Sequence, residues 1–149
     1  MDIFINKEKR QYVTLEIYFY CYNYNDLTDG NDNMVFSHNK NSIPADSSKI
    51  KKLVAKILAP TFDEYMGILR DSVLQLSNGG ALIDEASYRE NIVKTLLKKI
   101  ITDDYEYEIT EDNYGELHPL LGVSIYRAFD EKFLNPVLNT NPHYTEEEK

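Results

Sequence analysis

Apolar positions recur along this chain with two different periods. Val13, Leu15, Ile17, Phe19 and Cys21 interleave with Tyr12, Thr14, Glu16, Tyr18, Tyr20, Tyr22 and Tyr24. Period-two alternation rich in aromatic and β-branched residues predicts a strand over residues 12–24. One face is aliphatic and needs burial, and the other is a row of tyrosines. The strand is long against the usual length of about 5–6 residues. Either Met34-Val35-Phe36 pairs back on it or another chain does. Asp29-Gly30 supplies the hairpin turn, and residues 37–48, with Pro44, read as a loop.

From Ile50 onward the apolar spacing turns helical. Ile50, Leu53, Val54, Ile57 and Leu58 fall at i, i+3, i+4, i+7 and i+8 behind a Ser47 or Ser48 cap. They predict a first helix, basic on its other face and ended by Pro60. Thr61-x-x-Glu64 is a capping box that opens a second. Its face is Phe62, Tyr65, Met66, Leu69, Val73 and Leu76, and Asn78-Gly79-Gly80 stops it. Asp84 caps a third, with Tyr88, Ile92, Val93, Leu96, Leu97, Ile100 and Ile101 buried. Pro119 opens a fourth along Leu121, Ile125, Phe129 and Phe133. Tyr105, Tyr107 and Ile109 alternate and allow a short edge strand. The expected fold is therefore α+β, a four-helix core packed on a small antiparallel sheet with one long strand. Leu69, Ile92, Leu96, Ile125 and Phe129 are the expected centre of the core. Residues 1–138 read as a single domain and 139–149 as an acidic tail.

Composition narrows the partners. The 149 residues carry 25 acidic against 16 basic side chains, a net charge of −9, which disfavours anionic targets such as nucleic acid and membrane surfaces. The apolar fraction of 42% suffices for a folded core. One cysteine fits a reducing compartment. Neither a membrane span nor a signal-peptide pattern is expected.

Catalytic and metal chemistry finds little purchase. His38, His118 and His143 lack ligand spacing, and Cys21 falls on the aliphatic face, where a reactive thiolate is not expected. Asp26, Asp29 and Asp32 around Gly30 fail as a calcium loop, because Leu27 and Phe36 occupy ligand positions. Gly79-Gly80 lacks the rest of a phosphate loop. Asp63 and Glu64 are explained by the helix start. Two surfaces stand out instead. The tyrosine row Tyr18, Tyr20, Tyr22 and Tyr24 suits a protein interface. Residues 102–116 hold seven acidic and no basic side chains, including Asp103, Asp104, Glu106 and Glu108.

Pro60-Thr61-Phe62-Asp63-Glu64-Tyr65, Gly80-Ala81-Leu82-Ile83-Asp84, Tyr88-Arg89, Leu96-Leu97 and Pro119-Leu120-Leu121 follow a familiar order. Over residues 58–134 the chain resembles small tailed-phage morphogenesis proteins, the tail assembly chaperones and contractile-tail baseplate hub subunits. It departs from them in having Ile100-Ile101 where a tryptophan is expected. The resemblance implies a non-enzymatic phage structural or assembly protein of the tail or baseplate region, in the virion or in the host cytoplasm during assembly. It implies other phage structural proteins as partners in a multi-copy assembly, no cofactor, and no catalytic residue. The alternative is a small acidic inhibitor that blocks a nucleic-acid-binding host protein.

Overall fold

The computed structural model describes residues 3–21 and 34–135. Tyr22, Tyr24, the Asp29-Gly30 turn and the acidic tail lie outside the described residues. The long alternating stretch forms strand β1, Tyr12–Cys21. Met34–Ser37, β2, folds back on its end with Tyr20 opposite Val35. Along its other edge β1 pairs with β3, Lys51–Leu58, in register Leu15 to Ala55 and Ile17 to Leu53. The five-stranded sheet is completed by β6, Leu97–Ile101, and β7, Glu106–Glu108, in the order β2-β1-β3-β6-β7. Every pairing is antiparallel.

The expected four-helix core is not what forms. Three α-helices are present among the described residues: α1, Phe62–Arg70; α2, Glu85–Leu96; and α3, Pro119–Phe129. The stretch read as the first helix is the central strand β3. Its sequence KKLVAKIL also alternates once Ala55 is counted as apolar. Leu53, Ala55 and Ile57 are buried while Lys52, Val54, Lys56 and Leu58 point the other way. A long β1 needs partners along its length, and β3 supplies one from Tyr12 to Phe19. The second helix stops at Arg70, well short of Leu76, and Val73–Gln75 becomes strand β4. The third ends at Leu96, and its last residues cross into β6.

Leu97 and Ile100 are three apart, the spacing that suggested a continuing helix, yet both are buried on one side of a strand. A bulge reconciles the two. Lys56 pairs with Lys99 and Ile57 with Leu97, so Lys98 is an extra residue that restores the phase. The Lys98 carbonyl accepts the Ile109 N–H at 2.9 Å.

Among the described residues, helices cover one face of the sheet. α3 packs against β1 and β2, α2 against α3 and β6, and α1 against α2. Ile92, Leu96, Ile125 and Phe129 are buried as expected, together with Leu15, Ile17, Ile57 and Leu97. Leu69 is only half-buried, and its neighbour Ile68 takes the core position. Phe62, assigned to the helix's apolar face, is 80% exposed at the first helical position. The capping box forms as read: Glu64 N–H donates to Thr61 Oγ1 at 3.2 Å and Thr61 N–H to Glu64 Oε1 at 2.9 Å. After α3 the chain continues as a π-helical turn, Asp130–Leu134, that stacks Phe133 on Phe129 at 5.3 Å between ring centres.

Candidate protein-interaction surfaces

The uncovered face of the sheet carries the described part of the tyrosine row. Tyr18 and Tyr20 are half-buried there among charged neighbours. The Tyr18 hydroxyl donates to Glu16 Oε1 at 3.2 Å, and Lys52 Nζ donates to Glu16 Oε2 at 3.0 Å. The Lys52 hydrogen bond holds the Glu16 carboxyl below its ordinary pKa, while burial and then Glu16 push the Tyr18 phenol up. Lys56 Nζ reaches Thr14 Oγ1 at 3.3 Å. This face is a lattice of opposite charges across strands. Cys21 ends β1 at an inward parity position but is exposed, contrary to its expected place on a buried face.

The acidic carboxylates divide into two groups. Glu106 and Glu108 turn to the uncovered face, where Lys99 Nζ lies 3.3 Å from Glu106 Oε2 and 3.6 Å from Glu108 Oε1. Glu106 in particular raises the Lys99 pKa by hydrogen bonding. Asp103 and Asp104 occupy the tip of the β6–β7 turn, both exposed. That turn is closed by Thr102 N–H to the Tyr105 carbonyl at 2.8 Å and Tyr105 N–H to Thr102 Oγ1 at 3.1 Å. Strand alternation sends Tyr107 to the opposite face from Glu106 and Glu108, the one bearing the helices.

There the tip of the turn borders a groove of about 900 Å³ between the sheet and the start of α3. Its floor is apolar, from Phe19, Phe36, Leu53, Ile100 and Leu121. Tyr105 and Tyr107 form one wall, 66% and 48% exposed, with their rings 5.8 Å apart. Asp103, Asp104, Glu108 and Glu116 line the rim, and Lys51 and Lys52 enter from the β3 side. His118, weighed from sequence only as a metal ligand, has another use. Its Nδ1 accepts the Leu120 N–H at 3.2 Å, capping α3, and its ring lies 5.0 Å from that of Phe36. Sequence reasoning missed Phe19 and Phe36 as site residues, because alternation marks them only as inward-facing. That they stay only partly buried beside the start of α3 is a tertiary fact.

Two further cavities lie outside this groove. One of about 440 Å³ lies between α2 and α3, where Arg89 sits 5.2 Å over the Tyr126 ring. The other, about 560 Å³, borders the open edge of β1. There Lys132 Nζ donates to the Thr14 carbonyl at 2.6 Å and His38 Nε2 meets Glu131 Oε2 at 2.7 Å. Among the described residues no group of three His, Cys, Asp or Glu is placed to hold a metal ion, and no helix is long and apolar enough to cross a membrane. Between α1 and α2 the Tyr88 hydroxyl donates to the Tyr65 hydroxyl at 3.1 Å, and burial pushes the Tyr88 phenol strongly up.

The last surface is a separate two-stranded hairpin, β4 with β5, Ala81–Ile83, in register Leu74 to Leu82. The glycines read as a helix stop make its turn. Gly79 N–H donates to the Leu76 carbonyl at 3.0 Å with Gly79 at φ +90°, a conformation that favours glycine. No family model, curated protein or solved structure matches this chain.

Proposed function

We propose that this chain is a non-enzymatic protein-binding component of a bacteriophage tail or baseplate, or of its assembly line. The partner segment occupies the groove beside the β6–β7 turn. The observation that carries the reading is the combination in that groove of an apolar floor, two exposed tyrosines and carboxylates at the rim. Tyrosine gives large contact area at small entropic cost, and interface cores favour aromatic residues inside a polar rim. A segment with apolar anchors and flanking Lys or Arg matches this pattern, since rim carboxylates steer cations. The phage setting, in the virion or the host cytoplasm during assembly, rests on the resemblance across residues 58–134.

A second reading is an acidic inhibitor that covers a nucleic-acid-binding surface of a host protein. It is favoured by Asp103, Asp104, Glu111, Asp112 and Glu116, all exposed along one segment. Affinity capture with the tagged chain from infected cells, read by mass spectrometry, separates the two. Recovery of particle proteins, lost in a Tyr105→Ser, Tyr107→Ser variant, supports assembly. Recovery of a host nucleoprotein, released by Asp103→Asn with Asp104→Asn, supports inhibition.

A further inference from the structure

The arm ahead of β1 is apolar where it meets solvent. Ile3 is 81% exposed, Phe4 76% and Ile5 38%. Single exposed apolar residues are ordinary, but a contiguous apolar run marks a contact surface. Charge follows at once. Lys7, Glu8 and Lys9 form a 3₁₀ turn, capped by Asn6 Oδ1, which accepts the Glu8 N–H at 3.0 Å. Both lysines are exposed. Beyond them Arg10 is tied to Glu64 and to the Ala59 carbonyl. The arm is thus a short apolar segment trailed by two lysines and fixed to the fold at its base. The groove beside the β6–β7 turn calls for that pattern. Phe19 and Phe36 floor it, and Asp103 and Asp104 stand at its rim. Residues 102–116 hold no basic side chain.

The arm does not reach the Phe19 end of its own groove. Arg10 is held at the β3–α1 junction by the Ala59 carbonyl. The neighbouring Leu58 pairs with Tyr12 at the start of β1, whereas Phe19 pairs with Lys51 at the other end of both strands. From Tyr12 to Phe19 the strand runs about 23 Å. From Arg10 back to Ile5 the chain spans at most about 18 Å when fully extended. The turn at Lys7–Lys9 shortens that span. No residue of the arm lines the groove.

We propose that the arm of one copy of the chain occupies the groove of a second copy. Ile3, Phe4 and Ile5 lie on the floor of Phe19 and Phe36, against Tyr105 and Tyr107. Lys7 and Lys9 face Asp103 and Asp104 at the rim. The inference rests on the groove being a binding site and names its occupant. The net charge of −9 on each copy does not oppose the contact. The side chains that meet are opposite in sign, and exposed charges more than about 8 Å apart are largely screened at physiological salt. Arm and groove are different patches. One contact therefore leaves an unused arm and an unused groove, which a reciprocal pair closes or a row of copies extends. So short an arm buries less than the roughly 800 Å² per partner of a stable interface, so each contact is weak and association grows with concentration.

Sedimentation equilibrium on a Cys21→Ser background, carried into the millimolar range, tests it. The parent should rise above the monomer mass as concentration increases. An arm variant, Ile3→Ser with Phe4→Ser, should stay monomeric. So should a groove variant, Tyr105→Ser with Tyr107→Ser. Both should keep the parent's circular dichroism spectrum, since all four side chains are exposed. Mixed together, the two should form a one-to-one dimer, because the first supplies an intact groove and the second an intact arm. Whether the groove binds other proteins is read separately. The arm variant keeps the groove, so its capture of a particle protein, and the loss of that capture on adding Tyr105→Ser and Tyr107→Ser, does not depend on self-association. A parent that stays monomeric throughout, either variant associating like the parent, or a mixture that gives no dimer would each overturn the proposal.

Discussion

Arg10 grips Glu64 with both ends of its guanidinium, Nη2 lying 3.1 Å from Oε2 while Nη1 pairs with Oε1. The same Nη1 donates to the Ala59 carbonyl at 2.9 Å. A residue before the sheet thus locks the junction between β3 and α1, where Glu64 is also the second half of the capping box. The Arg10 hydrogen bonds hold the Glu64 carboxyl down at about 2, against an ordinary 4.5.

A pH dependence follows. A carboxyl with a depressed folded-state pKa stabilises the fold fully above its unfolded value and loses that contribution as pH falls through the folded one. Stability should therefore decline between about pH 4.5 and 2, and Glu64→Gln should flatten that part of the curve. Urea unfolding at stepped pH measures it. Parallel curves for the two proteins would remove the pair from the account.

Thr61→Ala should cost about 0.5–2 kcal/mol, the range for an N-cap hydroxyl replaced by a methyl group. The check is the shift in the urea midpoint at pH 7, with an unchanged slope.

Ile68→Ala should cost about 2–5 kcal/mol, as a buried aliphatic truncation does. Leu69→Ala, at a half-buried neighbour, should cost less. The order of the two midpoints reports which of them faces α2 and the sheet.

Ala55→Leu separates the strand from the helix that β3 resembles in sequence. As a helix, residues 50–58 would carry Ala55 off the apolar face and tolerate leucine. In β3, Ala55 is fully buried opposite Leu15 and Ile100. Overpacking there should destabilise by about 1–3 kcal/mol. A neutral result in thermal unfolding would favour the helix.

What could be read from the sequence was local. The β1 alternation, its β2 partner, the capping box and the starts of α2 and α3 are set by neighbouring residues, and the structure has them. The misread segments share a cause. Residues 50–58 satisfy both periods, and the choice depends on the distant β1. Leu97 and Ile100 mimic helical spacing because a bulge at Lys98 shifts strand phase. The acidic site was legible as charge, but its division was not. Glu106 and Glu108 are drawn to Lys99 on one face, and Asp103 and Asp104 stand by the groove. Phe19 and Phe36, which floor the groove, carry no sequence signal beyond inward parity.

The groove is the centre of the functional account. Its most direct test is the affinity of a particle protein captured by the wild-type chain for the Tyr105→Ser, Tyr107→Ser variant, by titration calorimetry. Both tyrosines are exposed, so folding stability should stay within about 0.5 kcal/mol of wild type. Affinity should fall by at least about tenfold, as for loss of an aromatic anchor, and weaken further at high salt. Unchanged affinity in a variant that folds normally would contradict the account and place the interface elsewhere.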